Sequence, residues 1–158
     1  MSAYYALGGF DPIEIIHTGT SNYAVAGQWL RGDISKKDER ELFYEMQSVV
    51  ASGKVEGDLC IVDYQDDTLA IGEMNRFIGV LLRNEISAIP AGFDVLEVTS
   101  SDSFMAALTM HPLVMPNTEA VETMLIDSAY SHEIKLRKMT FEIFYPDNSV
   151  IVQMFSTE

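Results

Sequence analysis

The sequence predicts an α+β fold of two tandem strand-helix-strand-strand repeats related by a pseudo-twofold axis, with an antiparallel sheet packed against helices. Three observations carry this expectation. Short apolar runs of strand composition alternate with two helix signatures, the order of these elements is the same in both halves, and short landmarks recur. Ile16-x-x-Gly19 returns as Ile89-x-x-Gly92, and Tyr64-x-Asp66-Asp67-Thr68 returns as Tyr145-x-Asp147-Asn148-Ser149. The repeats run over residues 11–83 and 89–156 of a single domain filling the 158-residue chain, a length that buries one well-packed core.

In the first half, Ile13 to His17 and Asn22 to Leu30 have strand composition, and the Thr18-to-Asn22 cluster with Gly19 reads as a turn pairing them. Ser35 followed by Asp38 has the form of a helix N-terminal capping box. Beyond it Leu42, Phe43, Met46, Val49 and Val50 recur on one side of a 3.6-residue period, an amphipathic helix that ends near Gly53. Leu59 to Tyr64 and Arg76 to Leu82 read as two strands separated by the acidic turn Asp66-Asp67 and a loop containing Gly72. The second half repeats the order with a strand from Phe93 to Thr99 and a helix after Pro116-Asn117-Thr118, followed by strands Met139 to Tyr145 and Ser149 to Phe155. Val121, Met124, Leu125 and Ala129 form the apolar stripe of that helix.

Composition narrows the function. A net charge of −14 opposes any surface that neutralises phosphates, so direct binding to nucleic acid is not expected; an acidic surface attracts cations and basic partners instead. Cys60 is the single cysteine, which excludes an internal disulfide framework, and its apolar neighbours indicate an inert buried thiol. Residues 1–9 lack a basic stretch ahead of an apolar core, and no apolar run approaches the roughly 18 residues of a membrane span. The reading is therefore cytoplasmic, with no membrane partner.

Glu142 stands out because it interrupts the otherwise apolar, aromatic strand Met139-Thr140-Phe141-Glu142-Ile143-Phe144-Tyr145. Burying an ionised carboxylate without a partner costs several kcal/mol or more, so it must face solvent, take a raised pKa, or meet a cation. Period-two alternation puts Glu142 on one face with Thr140 and Phe144, and Phe141, Ile143 and Tyr145 on the other. In the repeat register Glu142 matches Ile61, so only one half carries the carboxylate. Trp29, Phe43, Tyr44, Phe77, Phe104 and Phe144, with Met46, Met105 and Met124, are the side chains that can stack on a flat lipophilic cation. The alternative for Glu142 is an internal ion pair with Arg76, Arg83, Lys135 or Arg137.

These residues resemble the GyrI-like small-molecule-binding domain, which also serves as the effector-binding module of some AraC-type and MerR-type bacterial transcription regulators. The resemblance rests on Ile89-Pro90-Ala91-Gly92, Glu142-Ile143-Phe144-Tyr145-Pro146 and Arg76-Phe77-Ile78-Gly79-Val80, and covers about residues 11–155. It implies a duplicated strand-helix-strand-strand fold, and a glutamate at the position of Glu142 that meets cationic, lipophilic ligands among aromatics. On that basis the ligand-binding candidates are Glu142, Phe144, Trp29, Thr140 and Phe104, and the expected partner is a small lipophilic or cationic molecule. The chain departs from the common pattern in its second repeat. Where a tryptophan often precedes or lies within the helix, it has Ser103-Phe104-Met105-Ala106-Ala107 followed by a longer insertion, His111 to Pro116. No helix-turn-helix segment precedes the domain in this sequence.

Competing chemistries have less support. His17, His111 and His132 form no HExxH or HxH signature, and Asp63, Asp66 and Asp67 lack the spacing and glycine of a calcium-binding loop, so they read as a solvated turn. No GxGxxG, GK[ST] or GxSxG motif is present, and no cofactor is expected. An enzyme reading, suggested by hydrolases resembling GyrI-like proteins, would use Glu142 as general acid or base with Tyr145 or Tyr64 orienting substrate or water. A third reading takes Asp38, Glu41 and Glu45, aligned along the first helix, as a face for a basic protein surface.

Overall fold

The computed structural model describes residues 13–84, 88–109 and 117–157. Their elements are β1 (Ile15–Thr18), β2 (Ser21–Gly32), α1 (Lys36–Ala51), β3 (Gly57–Tyr64), β4 (Met74–Leu82), β5 (Asp94–Ser100), β6 (Ser103–Thr109), α2 (Thr118–Ser131), β7 (Leu136–Phe144) and β8 (Ser149–Ser156). The fold is α+β and antiparallel, and each half reads strand-strand-helix-strand-strand. The insertion His111 to Pro116 lies outside the described residues, and among those described no helix is long and apolar enough to cross a membrane.

The chain forms two compact units, residues 22–99 and residues 1–21 with 100–158. In the first, α1 packs on strands ordered β3-β4-β2-β5; in the second, α2 packs on β1-β6-β8-β7. The units therefore differ from the sequence repeats by an exchange of leading strands. β1 opens the first repeat but joins the sheet of the second, and β5 opens the second repeat but lies beside β2.

This corrects the expected pairing of the first two strands. The link Gly19-Thr20 lacks the Asn-Gly or Asp-Gly chemistry that closes a two-residue hairpin. β1 instead pairs with β6, Ile15 opposite Ala106 and His17 opposite Phe104. There Ile13 and Ile15 cover the cluster of Phe104, Ala106 and Leu108, so apolar burial decides the pairing. It also explains the missed strand β6. The stretch from Ser103 appeared only as a lead-in to the insertion, yet Phe104, Ala106 and Leu108 alternate inward at period two.

Local signals match the structure elsewhere. The Ser35 side chain accepts from the Asp38 amide at 3.1 Å and starts α1, which buries Leu42, Met46 and Val49. Asn117 caps α2 by accepting from the Glu119 amide at 2.9 Å, and α2 buries Val121, Leu125 and Ala129. Met124, expected in that stripe, is exposed. Both helices end on a left-handed residue, Gly53 (φ 70°) and Glu133 (φ 58°).

The two acidic turns are likewise equivalent. Asp66 accepts from the Thr68 hydroxyl (2.6 Å) and amide (2.9 Å), and Asp147 accepts from the Ser149 hydroxyl (2.5 Å) and amide (2.9 Å). In each case the hydroxyl and then the amide donor hold the carboxyl below the ordinary aspartate range. Asp63, grouped with this solvated turn from the sequence, instead meets Arg76. Cys60 is fully buried, as expected.

Candidate functional site

The sheet register shows which side chains share a face with α2. Val150, Val152 and Met154 of β8 belong to the core cluster under Val121, Leu125 and Ala129. Their partners across β7 are Phe144, Glu142 and Thr140, and across β6 they are Leu108, Ala106 and Phe104. Residues directly opposite in an antiparallel pair point to the same side. Thr140, Glu142, Phe144 and Phe104 therefore all lie on the α2 side of one sheet, and four of the five sequence-derived candidates come together in one unit.

Within this face Glu142 is half-buried, in a row whose other members, Val152, Ala106 and Ile15, are all apolar. Beside it Thr140 is almost completely buried, at 1% exposure, and among the described residues its hydroxyl has no hydrogen-bond partner. An unsatisfied buried hydroxyl costs about 1–3 kcal/mol, so packing alone does not account for a threonine at this position. β7 is irregular just before it: Leu136 lies opposite Ser156 and Thr140 opposite Met154, so four residues advance against two. A bulge of this kind re-aims the side chains that follow it.

Comparison of the repeats sharpens the asymmetry. At the matching rows of the β3–β4 hairpin, Ile61 faces Ile78 and Asp63 faces Arg76, where β7–β8 has Glu142 opposite Val152 and Phe144 opposite Val150. Arg76 donates from Nη2 to Asp63 Oδ2 at 3.1 Å and from Nη1 to Glu39 on α1. Burial disfavours the charged guanidinium, but Asp63 and Glu39 outweigh this and raise its pKa. Arg83 meets Asp58 at 3.0 Å. Two of the four cations considered for Glu142 thus hold carboxylates of their own unit.

Trp29 belongs to the other unit, on the sheet face away from α1. It lies opposite Phe77 with ring centroids 5.0 Å apart, packs on Tyr64 at 5.6 Å, and carries the Arg31 guanidinium 3.8 Å above its ring. Phe104 is completely buried, and His17 stacks parallel on it at 4.5 Å.

That stacking reveals a group for which the sequence spacing held no signal. His17 Nε2 donates to Asp102 Oδ1 at 2.8 Å, and His132 Nδ1 donates to the Ser128 carbonyl at 2.8 Å. The two imidazoles lie 5.0 Å apart beside Phe104. Three segments far apart in sequence supply these groups, so only folding assembles them. Among the described residues no cluster of three or more histidine, cysteine or acidic side chains is arranged to hold a metal ion. Asp38, Glu41 and Glu45 are all exposed on α1, and Glu41 meets Lys37 at 3.7 Å.

No family model matches this sequence, and no curated protein matches it. Solved structures do match, and the fold they share with this chain is the duplicated GyrI-like fold. One is the C-terminal domain of EcmrR, with a TM-score of 0.54 and 8% identity over 93% of this chain and 97% of that one. A second is a hydrolase from Listeria innocua, with a TM-score of 0.50 and 11% identity over 97% of each chain. A third, SAV2435 bound to tetraphenylphosphonium, has a TM-score of 0.48 and 14% identity over 92% of this chain and 94% of that one. At these identities the likeness is one of fold.

Proposed function

We propose that this chain is a noncatalytic small-molecule-binding protein for lipophilic cations, acting in effector sensing or drug sequestration. The ligand lies on the α2 side of the β1-β6-β8-β7 sheet. Glu142 supplies the charge and the half-buried Phe144 the aromatic contact, the Thr140 hydroxyl is a polar anchor, and the fully buried Phe104 backs the same face. The observation that carries this reading is a half-buried carboxylate, in a row of apolar side chains, beside a buried hydroxyl that has no hydrogen-bond partner among the described residues. A fold stabilised for its own sake would place apolar side chains at both positions, as the first repeat does with Ile61 at the position of Glu142. Trp29 remains a further candidate aromatic in its own unit, and the reading does not depend on it.

The test compares tetraphenylphosphonium with triphenylphosphine oxide, which is neutral and similar in size. Glu142→Gln is expected to weaken the phosphonium by roughly tenfold to a hundredfold, the range for a hydrogen bond or ion contact to a charged group, and to leave the oxide within about twofold. Thermal shift at fixed ligand concentration reads both, because ligand binding to the native state raises its stability by mass action. Equal losses for the two compounds would remove the charge role.

Thr140→Val provides a second check. Removing the unpartnered hydroxyl while keeping the shape is expected to raise the stability of the ligand-free protein by about 1 kcal/mol in urea unfolding. A loss of stability would show that the hydroxyl contributes to the fold itself.

A further inference from the structure

We propose a second small-molecule site, of opposite charge preference, on the α1 side of the β3-β4-β2-β5 sheet, for a compact aromatic carboxylate. A pocket of about 320 Å³ lies there, at the small end of the range for ligand sites. Its floor is Ile61 and Ile78, which face each other across β3 and β4, and its wall is Phe43 and Tyr44 of α1. Lys36 and Arg40 form the rim one helical turn apart, with Glu39 between them.

The charges make the site selective. Glu39 and Asp63 share Arg76, so these three groups together leave one negative charge against the two positive ones of Lys36 and Arg40. Among the described residues neither Lys36 nor Arg40 makes an ion pair, although the chain carries a net charge of −14 and has acidic residues in abundance. Helix stability does not account for Lys36 either. It occupies the first turn of α1, where the helix dipole favours acidic side chains and a cation is unfavourable. Tyr44 is 57% exposed, a large aromatic surface beside the pocket that the unit's own core does not use. An apolar floor with a net positive mouth fits a flat ring bearing one carboxylate: the ring lies on Ile61 and Phe43, above the fully buried Ile78, and the carboxylate reaches Lys36 and Arg40. Ile61 holds the repeat position that Glu142 holds in the other unit, so the duplication has produced two faces of opposite charge preference.

The experiment titrates 2-naphthoate into the full chain labelled at isoleucine methyl groups, with 2-naphthylmethanol as the neutral counterpart. Naphthoate is expected to shift the Ile61 and Ile78 methyl signals first and to bind about tenfold tighter than the alcohol. In the Lys36→Gln, Arg40→Gln double variant that preference is expected to fall to within about twofold. Both side chains are exposed, so this variant should keep the fold, and an unchanged methyl spectrum verifies it. Shifts elsewhere without Ile61 and Ile78, equal affinities for acid and alcohol in the parent chain, or a carboxylate preference that survives in the double variant would each overturn the proposal. Because the methyl signals report this pocket directly, the result is independent of whether a cation binds near Glu142.

Discussion

Gly79→Ala is expected to destabilise the chain by about 3 kcal/mol, enough to remove a large part of its folding free energy. Gly79 lies in the middle of β4, opposite Gly27 on one side and Cys60 on the other. A Cβ there would collide with the carbonyl oxygen of Ala26 and approach the Gly27 Cα to 2.9 Å. A Cβ at Gly27 would in turn collide with the carbonyl oxygen of Ile78. Both obstacles are backbone, so relief requires separating β2 from β4 and losing ladder hydrogen bonds together with the packing of Val25, Ala26, Ile78 and Val80, all completely buried. The effect is one of space, because neither glycine adopts a positive φ. Gly19→Ala is the control: nothing lies within 4 Å of its added Cβ, and its change is expected to stay within about 0.5 kcal/mol. Urea midpoints with unchanged slopes measure both, and similar shifts for the two variants would contradict the close approach of β2 and β4.

Arg76→Met has the second largest expected effect, a loss of about 2 kcal/mol. The substitution keeps an apolar stem but strips Asp63 and Glu39 of the cation that joins β3, β4 and α1. The Arg76 side chain is only 26% exposed, so the contact is screened less than a surface pair, while partial access to water keeps the loss below that of a fully buried bridge. Arg83 supplies the comparison: it also holds a carboxylate, Asp58, but is 57% exposed, and Arg83→Met is expected to change stability by no more than about 0.5 kcal/mol. A double-mutant cycle with Glu39→Gln separates the link to the helix from the bidentate contact to Asp63. Zero coupling would show that Glu39 and Arg76 are neighbours without energetic consequence.

The candidate site was partly legible in the sequence. Alternation along β7 placed Thr140, Glu142 and Phe144 on one face, and the register to Met154, Val152 and Val150 agrees. Nothing local in the sequence said that this face meets α2, or that the Thr140 hydroxyl has no partner among the described residues. The His17, Asp102 and His132 group and the pocket at Lys36 and Arg40 were illegible for the same reason, since their members come from elements whose mutual packing leaves no periodic trace. Met124 shows the limit of helical periodicity: an apolar residue at the edge of a stripe is buried only if the opposing surface reaches it.

The sequence by itself determined the order of every strand and helix except β6, the caps at Ser35 and Asn117, the paired acidic turns at Asp66 and Asp147, and the single carboxylate in β7. These depend on backbone preferences, short side-chain hydrogen bonds and periodicity within a few residues. Tertiary structure alone decided that β1 joins β6, that β5 lies beside β2, and that Arg76 is held by Asp63 and Glu39. Those outcomes depend on competition among distant segments for apolar burial and charge compensation, as when Ile13 and Ile15 cover the core cluster of Phe104, Ala106 and Leu108.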